Sequence, residues 1–274
     1  MPTILITIIV CLFASFFAGV GTGFVGMSAA VAITPILMGF LGLEHFDATA
    51  IALASDVLAS AGAAYMYHRH KNVDIKNGLL LMATVLVFTF GGTVLGYYVD
   101  THTMGIGTLV TITLMGLKMI IFPSKTVGKP QGNLTKARKI VYSIIFGAII
   151  GFVCGFVGAG GGMLLLLTLT VFLGYEMHMA VGTSVFVMSF SAFTGSVFHI
   201  VYKGLLTPNH HAEFGDHFIP VLILCVVLTT VFSMLGSRFA NRMKEKTLNR
   251  VSGVMLLVIA VTVLIVMLTK GTLL

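Results

Sequence analysis

The residues best suited to chemistry in this chain are glycines, hydroxyls and one carboxylate, all set within apolar surroundings. Gly158-Ala159-Gly160-Gly161-Gly162 lies between two hydrophobic arms. Three consecutive glycines disfavour helix. Unwound backbone at membrane depth persists only where protein buries it or where it lines a cavity. A helix restarting after Gly162 would present free N–H groups and the positive end of its dipole, which suits an anion. Close helix packing through small residues is the competing explanation. The first half of the chain holds a looser counterpart, Gly19-Val20-Gly21-Thr22-Gly23-Phe24-Val25-Gly26, followed by Met27, Ser28, Ala29 and Ala30. Here Gly21, Gly23 and Gly26 permit a break, and Thr22 and Ser28 offer hydroxyls. Neither stretch is a nucleotide loop, because no Lys-Ser/Thr pair follows and no strand precedes it.

Asp56 sits about eight residues into an apolar run, and an intramembrane carboxylate is a functional candidate. Ala52, Ser60 and Ala64 share its helical face. It is the candidate to carry a coupling proton or bind a cation; a structural hydrogen bond at a helix contact is the alternative. Thr183 and Ser184 follow Gly182, and Ser191 and Gly195 continue the Ser184 face. These hydroxyls suit either substrate oxygens or interhelical hydrogen bonds. Lys118 reads as a snorkelling residue near a helix end. His210, His211 and His217, with Glu213 and Asp216, read as a solvated loop rather than a metal site. His199 lies near the end of a span, and nothing in the sequence marks it out. Cys11, Cys154 and Cys225 lie in apolar runs without CxxC spacing and read as packers. No metal, cofactor or prosthetic group is implied, and no catalytic motif is present.

These residues need elements to hold them, and composition says what kind. Of 274 residues, 57% are hydrophobic and 9% charged, with a mean hydropathy of +1.05. Soluble domains carry roughly a quarter charged residues. At about 20 apolar residues per crossing, the chain has room for roughly eight to ten membrane segments and little else. The apolar runs are 3–20, 24–43, 48–67, 77–98, 104–122, 139–157, 162–174, 179–202, 217–237 and 250–269. Runs 24–43 and 162–174 follow the glycine clusters directly, so they are half-helices, re-entrant arms or full crossings. No basic n-region precedes the first run, which favours a membrane helix over a cleaved signal peptide. The net charge of +7 is dispersed among the gaps, which argues against nucleic acid as a partner.

An internal repeat organises the segments. Gly23-Phe24-Val25-Gly26 recurs as Gly155-Phe156-Val157-Gly158. At the same offset, Phe40-Leu41-Gly42 with Glu44 recurs as Phe172-Leu173-Gly174 with Glu176, and Ala48 as Ala180. The chain therefore reads as one transmembrane domain over 1–274, with a first repeat over 1–122, a linker over 123–138 and a second repeat over 139–274. Three gaps are basic: Arg69, Lys71 and Lys76; Lys125, Lys129, Lys136, Arg138 and Lys139; Arg238, Arg242, Lys244, Lys246 and Arg250. The positive-inside rule puts them, and the linker, in the cytoplasm. Gaps with Glu44 and Asp47, with Asp100, and with Glu213 and Asp216 then lie outside. Counting crossings makes 139–174 begin and end inside and gives each repeat five segments, hence opposite orientations. The expected fold is an all-α integral membrane protein of two inverted repeats with glycine-broken helices near the midplane, the common plan of secondary transporters.

Gly158-Ala-Gly-Gly-Gly-Met163 and Ala180-Val-Gly-Thr-Ser184 resemble the second-half motif of the sulfite exporter TauE/SafE family, also called TSUP. Thr34-Pro35-Ile36-Leu37 and the first glycine break resemble its first half. The similarity spans nearly the whole chain. Members of that family are two-halved membrane proteins linked to movement of sulfite, thiosulfate, sulfonates such as sulfoacetate, and related anions. The chain departs from the pattern at Met27-Ser28-Ala29-Ala30, where glycines are common, at Ile51-Ala52, at Leu167 in place of a proline, and in having Asp56.

The resulting expectation is a secondary transporter of a small anion, a sulfur oxyanion or organosulfonate, in the cytoplasmic membrane, working by alternating access. Substrate would bind at Gly21, Thr22, Gly23, Gly26, Ser28, Gly158, Gly160, Gly161, Gly162, Thr183 and Ser184, with Asp56 coupling to protons. The partners are the anion, the lipid bilayer and protons, with a homo-oligomer left open. An intramembrane enzyme and a membrane assembly factor are the alternatives.

Overall fold

The computed structural model describes residues 4–43, 45–96, 109–110, 113–114, 116–117, 120–121, 136–157, 161–206 and 218–269. The described chain is helical, and no strand occurs among these residues. In order the helices are α1 (Ile4–Val25), α2 (Ala30–Leu41), α3 (His45–Arg69), α4 (Ile75–Gly96), α5 (Lys136–Val157), α6 (Gly161–Leu167, extended by a π turn over Thr168–Phe172), α7 (Met177–Leu206), α8 (Phe218–Ala240) and α9 (Glu245–Thr269). Six of the described helices are long and apolar enough to cross a membrane. The chain is a multi-pass all-α membrane protein. The run 104–122, including Lys118, lies largely outside the described residues, as do Asp100 and most of the linker 123–138.

Side-chain size separates the buried and exposed faces of the outer helices. On α1 the bulky side chains point outward: Ile4, Ile9, Leu12, Phe13 and Phe16 are exposed, while Cys11, Ala14, Ser15 and Ala18 are fully buried. Lipid is as apolar as leucine, so bundle contacts favour small residues that let backbones approach. A Cβ added to Gly19 would stand 2.5 Å from the Thr229 carbonyl and 2.6 Å from Phe232 Cβ on α8. One added to Gly23 would stand 2.6 Å from the Ser233 carbonyl. The equivalent contact recurs between α5 and α4, where a Cβ on Gly151 would strike the Val85 carbonyl and lie 3.0 Å from Phe88 Cβ.

Gly19 and Gly151 are separated by the same offset that relates Gly23 to Gly155 in the sequence repeat. It also relates the first residues of α1 and α5 (4 and 136) and of α3 and α7 (45 and 177). The left-handed glycines that end α2 and the π turn, Gly42 at φ 69° and Gly174 at φ 67°, share it too. Helices α3 and α7 run antiparallel: a Cβ on Gly195 would meet Leu53 at 3.6 Å, and one on Gly182 would meet Tyr67 Cβ at 2.8 Å.

Three turns meet at one end of the bundle. Asn72 Nδ2 donates to Asn241 Oδ1 at 2.7 Å, and Tyr175 Oη donates to Asp74 Oδ2 at 2.8 Å. The Met177 N–H donates to Glu245 Oε1 at 2.9 Å, and His178 Nε2 lies 3.1 Å from the Ala240 carbonyl. Burial, and then the adjacent Asp74 carboxylate, raise the Tyr175 phenol above its ordinary range, so it remains the donor in that bond. The turn after α6 thus sits with the basic turns that carry Lys71, Arg242 and Lys244. Helix α5 leaves from this end too, since Gly147 packs beside Thr84 and Gly151 beside Val85 as α4 and α5 run parallel. Helices α5 and α6 are therefore two arms of one hairpin. Helix α2, with 12 residues, is about 18 Å long, short of a hydrocarbon core of about 30 Å. The run 162–174 thus returns to the end from which α5 leaves, and α2, in the run 24–43, is too short for a full crossing.

Candidate anion site at the meeting of two broken helices

The first break is narrower than the glycine spacing suggests. Helix α1 continues through Gly19, Gly21 and Gly23 and ends at Val25. Only Gly26, Met27 and Ser28 leave the helix before a single turn residue, Ala29, leads into α2. Gly26 takes φ +67°, a conformation glycine adopts at little cost. The carbonyls at the end of α1 find partners. Thr22 O accepts the Gly26 N–H at 2.9 Å. Gly23 O accepts from Tyr67 Oη at 2.9 Å, and Phe24 O from Ser252 Oγ at 3.3 Å. Thr22 Oγ1 contacts the Ala18 and Met27 carbonyls, each at 2.9 Å, and so clamps the break.

Ser28 and Asp56 meet where α2 begins. Ser28 Oγ donates to Asp56 Oδ2 at 2.7 Å and accepts from the Ala30 N–H at 3.3 Å. Ser60 Oγ donates to Asp56 Oδ1 at 2.9 Å, and the Ala29 N–H faces the same carboxylate. Asp56 is 1% exposed, and these partners are all neutral. A buried carboxylate without a cation is stabilised by such donors and by the positive end of a helix dipole. The start of α2 therefore already holds an internal carboxyl group.

The second hairpin closes the other side. Gly162 packs directly against the Gly26 carbonyl and the Met188 thioether. Gly26 in turn lies against Ser184 Oγ, and Gly161 against Cys154 Sγ. Cys154 lies near Ser191 and within electrostatic range of Asp56. The two glycine breaks thus touch, with Ser28, Asp56, Ser60, Cys154, Ser184 and Ser191 around the contact.

The structure brings together Gly26, Ser28, Gly161, Gly162, Ser184 and Asp56 from the sequence reading. It directs others elsewhere. Gly21 packs on Met27, 2.5 Å from its Cε to a built Cβ, and Gly23 faces α8. Thr22 is committed to its clamp. Thr183 Oγ1 accepts the Asp74 N–H at 3.1 Å, tying α7 to the turn before α4. Gly158 and Gly160 lie outside the described residues, as do His210, His211, Glu213, Asp216, His217 and the side chain of His199. Among the described residues no group of three or more His, Cys, Asp or Glu is placed to hold a metal.

Cys154 and Met188 border the junction of the two breaks, and sequence reasoning misses them. The signal that could find them is the repeat offset itself, which pairs Thr22 with Cys154 and Asp56 with Met188. The repeat thus gives the site two unlike walls, with a carboxylate on one and a thioether on the other.

A family model described as sulfite exporter TauE/SafE matches residues 11–263. The chain belongs to the TauE/SafE sulfite exporter family. TauE/SafE membership accounts for both halves at once, because the matched stretch runs from within α1 to within α9. A probable membrane transporter protein of Bacillus subtilis (strain 168), YdhB, is 24% identical over 233 residues, covering 85% of this chain and 90% of that protein. A second from the same organism, YunE, also a probable membrane transporter protein, is 23% identical over 208 residues, covering 67% and 75%. No solved structure matches the chain at comparable significance. The chain is thus a member of a membrane transporter family, with a buried polar junction where its two broken helices meet.

Proposed function

We propose that this TauE/SafE protein is a secondary transporter of a small anion, a sulfur oxyanion or organosulfonate of the sulfite, thiosulfate or sulfoacetate type, in the cytoplasmic membrane. The observation that carries the reading is the contact between the two breaks, Gly26 against Gly162, beside the Ser28–Asp56 pair at the start of α2. Glycines keep side chains out of the junction, and α2 opens it with N–H groups and a hydroxyl. The antiparallel α3 and α7 and the constant sequence offset support an inverted repeat. Such a repeat works by rocking its parts around a midplane site, so that access alternates.

Asp56 supplies the coupling. In the ionised form its carboxylate takes the Ser28 hydroxyl proton as a hydrogen bond and occupies the positive end of α2, where an anion would go. Protonation removes that charge and frees Ser28 to donate to a substrate oxygen. Anion and proton then bind together. An inside-negative potential drives anions out by about 2.3 kcal/mol per charge per 100 mV. Import against that drive draws on the proton bound at Asp56. The chemistry required is binding and release, with no bond broken, which favours transport over catalysis.

The test is flux of labelled sulfite, sulfoacetate and a carboxylate control in proteoliposomes, with and without a pH gradient. Saturable transport of a sulfur anion, faster with protons moving in the same direction, is expected. Absence of flux for every anion from folded protein would overturn the reading.

A further inference from the structure

The seam between α1 and α8 carries a pair of thiols that the anion site does not use. Close backbone contacts set its register. A Cβ on Gly19 would lie 2.9 Å from the Ser233 amide nitrogen, and one on Gly23 would lie 2.6 Å from that of Ser237. The two helices therefore run parallel and in step. One turn back from Gly19, Ser15 pairs with Thr229; two turns back, Cys11 pairs with Cys225. The side chains agree with this register. Cys11 and Cys225 lie within interaction range of each other, and Ser15 lies beside Cys225. All four residues are 0% exposed. The hydroxyls of Ser15 and Thr229 have no hydrogen-bond partner among the described residues.

Packing alone does not call for these thiols. In the other copy of this contact, between α5 and α4, the repeat offset puts Ser143 at the place of Cys11 and Gly147 at that of Ser15. A Cβ on Gly147 would lie 3.3 Å from Leu81 Cδ1, so an aliphatic side chain stands where Cys225 does. Only the α1–α8 copy puts sulfur on both helices. Cys11 is seven residues from Ile4, the start of α1, and Cys225 is seven from Phe218, the start of α8. At about 1.5 Å per residue, both lie about 10 Å from helix ends that the charge distribution places outside. The outer side of a cell membrane is the oxidising one. A singly charged soft cation on two thiolates would leave net negative charge among apolar side chains, whereas a disulfide is neutral.

We propose that Cys11 and Cys225 form a redox modification site, oxidised by hydrogen peroxide to a disulfide that staples α1 to α8. One thiol sulfur attacks the peroxide O–O bond and becomes a sulfenic acid; the other peroxide oxygen leaves as water with the thiol proton. The second sulfur then displaces the hydroxyl. The S–S bond forms, the S–O bond breaks, and the second proton leaves in a second water. Two thiols give up two electrons and the peroxide takes them. A dithiol reductant returns both electrons and both protons. The unpartnered hydroxyls of Ser15 and Thr229, one turn along the seam, are the groups that can hydrogen-bond the peroxide oxygens. Cys11 belongs to the first repeat and Cys225 to the second, so the bond ties the two halves together and should stop their rocking. That consequence for transport rests on the proposed alternating access; formation of the bond does not.

The test treats the protein in proteoliposomes with hydrogen peroxide, removes the peroxide by gel filtration, and compares samples before and after dithiothreitol. Free thiols counted after denaturation should fall from three to one and return to three. Mass spectrometry should find the Cys11 and Cys225 peptides linked in the oxidised sample. Counterflow of labelled sulfoacetate, which neither peroxide nor a disulfide consumes, should fall at least tenfold on oxidation and recover on reduction. In Cys11→Ser and Cys225→Ser, each checked for folding by size exclusion, peroxide should change that flux by less than about twofold. Absence of the linked peptides from treated wild type overturns the proposal, and so does equal inhibition of the two serine variants. A disulfide that forms and leaves the flux unchanged overturns the stapling. Linked peptides in a protein that carries no sulfoacetate even when reduced would overturn the transport reading while the redox site stands.

Discussion

Asp56 is the residue on which the chemistry turns. Its partners are hydroxyls and a backbone N–H rather than a cation, so a proton is what can neutralise its charge. Asp56→Asn keeps the volume and a hydrogen-bonding group but cannot ionise. The expected outcome is anion counterflow within about threefold of wild type and no acceleration by an imposed pH gradient, since a lost proton site removes coupling rather than binding. A pH response preserved in Asp56→Asn would place the coupling group elsewhere. Asp56 is legible in the sequence because a carboxylate in an apolar run is rare. Its pairing with Ser28 is not, because all of α2 and the first part of α3 lie between them. Thr183 shows the opposite failure. Its hydroxyl type and its place beside Ser184 suggest the site, yet one residue of helical rotation turns it to the Asp74 backbone.

Helix contacts in this bundle are set by glycines that touch backbone. Gly19 against α8 and Gly151 against α4 are the two copies of one contact, whereas a Cβ on Gly91 would meet nothing within 4 Å. Gly19→Ala and Gly151→Ala should each destabilise the protein by about 1–3 kcal/mol, as overpacked sites do. Gly91→Ala should match wild type or gain slightly from helix propensity. Thermal unfolding in detergent checks this, and equal melting temperatures for all three variants would contradict the assigned packing. The sequence exposes most elements at this scale, because long apolar runs and the repeat at constant offset survive without any tertiary information. Helix ends are less legible. Helix α1 runs on to Val25 through three glycines that resemble a break, because tertiary contacts with α8 and Tyr67 outweigh their weak helix propensity. Helix α9 likewise starts at Glu245, where the carboxylate caps α7, rather than at the apolar run near 250.

Helices α1 and α8 put bulky apolar side chains outward and mostly small or hydroxyl residues inward, the arrangement expected where lipid is the solvent, while α2 and α6 bury bulky ones such as Ile33, Leu37 and Leu165. The charge distribution then orients it. Glu176 lies in a turn with no basic residue, yet the bonds from Tyr175, Met177 and His178 hold that turn against basic ones. Glu176 is exposed, and Glu176→Cys should react with a membrane-impermeant thiol reagent in inside-out vesicles and not in intact cells. Labelling in intact cells would contradict the two-armed hairpins on which the inverted repeat depends.

The central claim is that a sulfur anion binds where the two breaks meet, and equilibrium binding of labelled sulfoacetate to purified protein tests it most directly. Ser28→Ala removes one donor to the anion while leaving the glycine contact in place. A hydrogen bond to a charged group contributes about 1.5–3 kcal/mol, so affinity should fall at least tenfold in the folded variant. Saturable binding in wild type with that loss is the result predicted. Equal affinity in wild type and Ser28→Ala, or no binding in wild type, would contradict it.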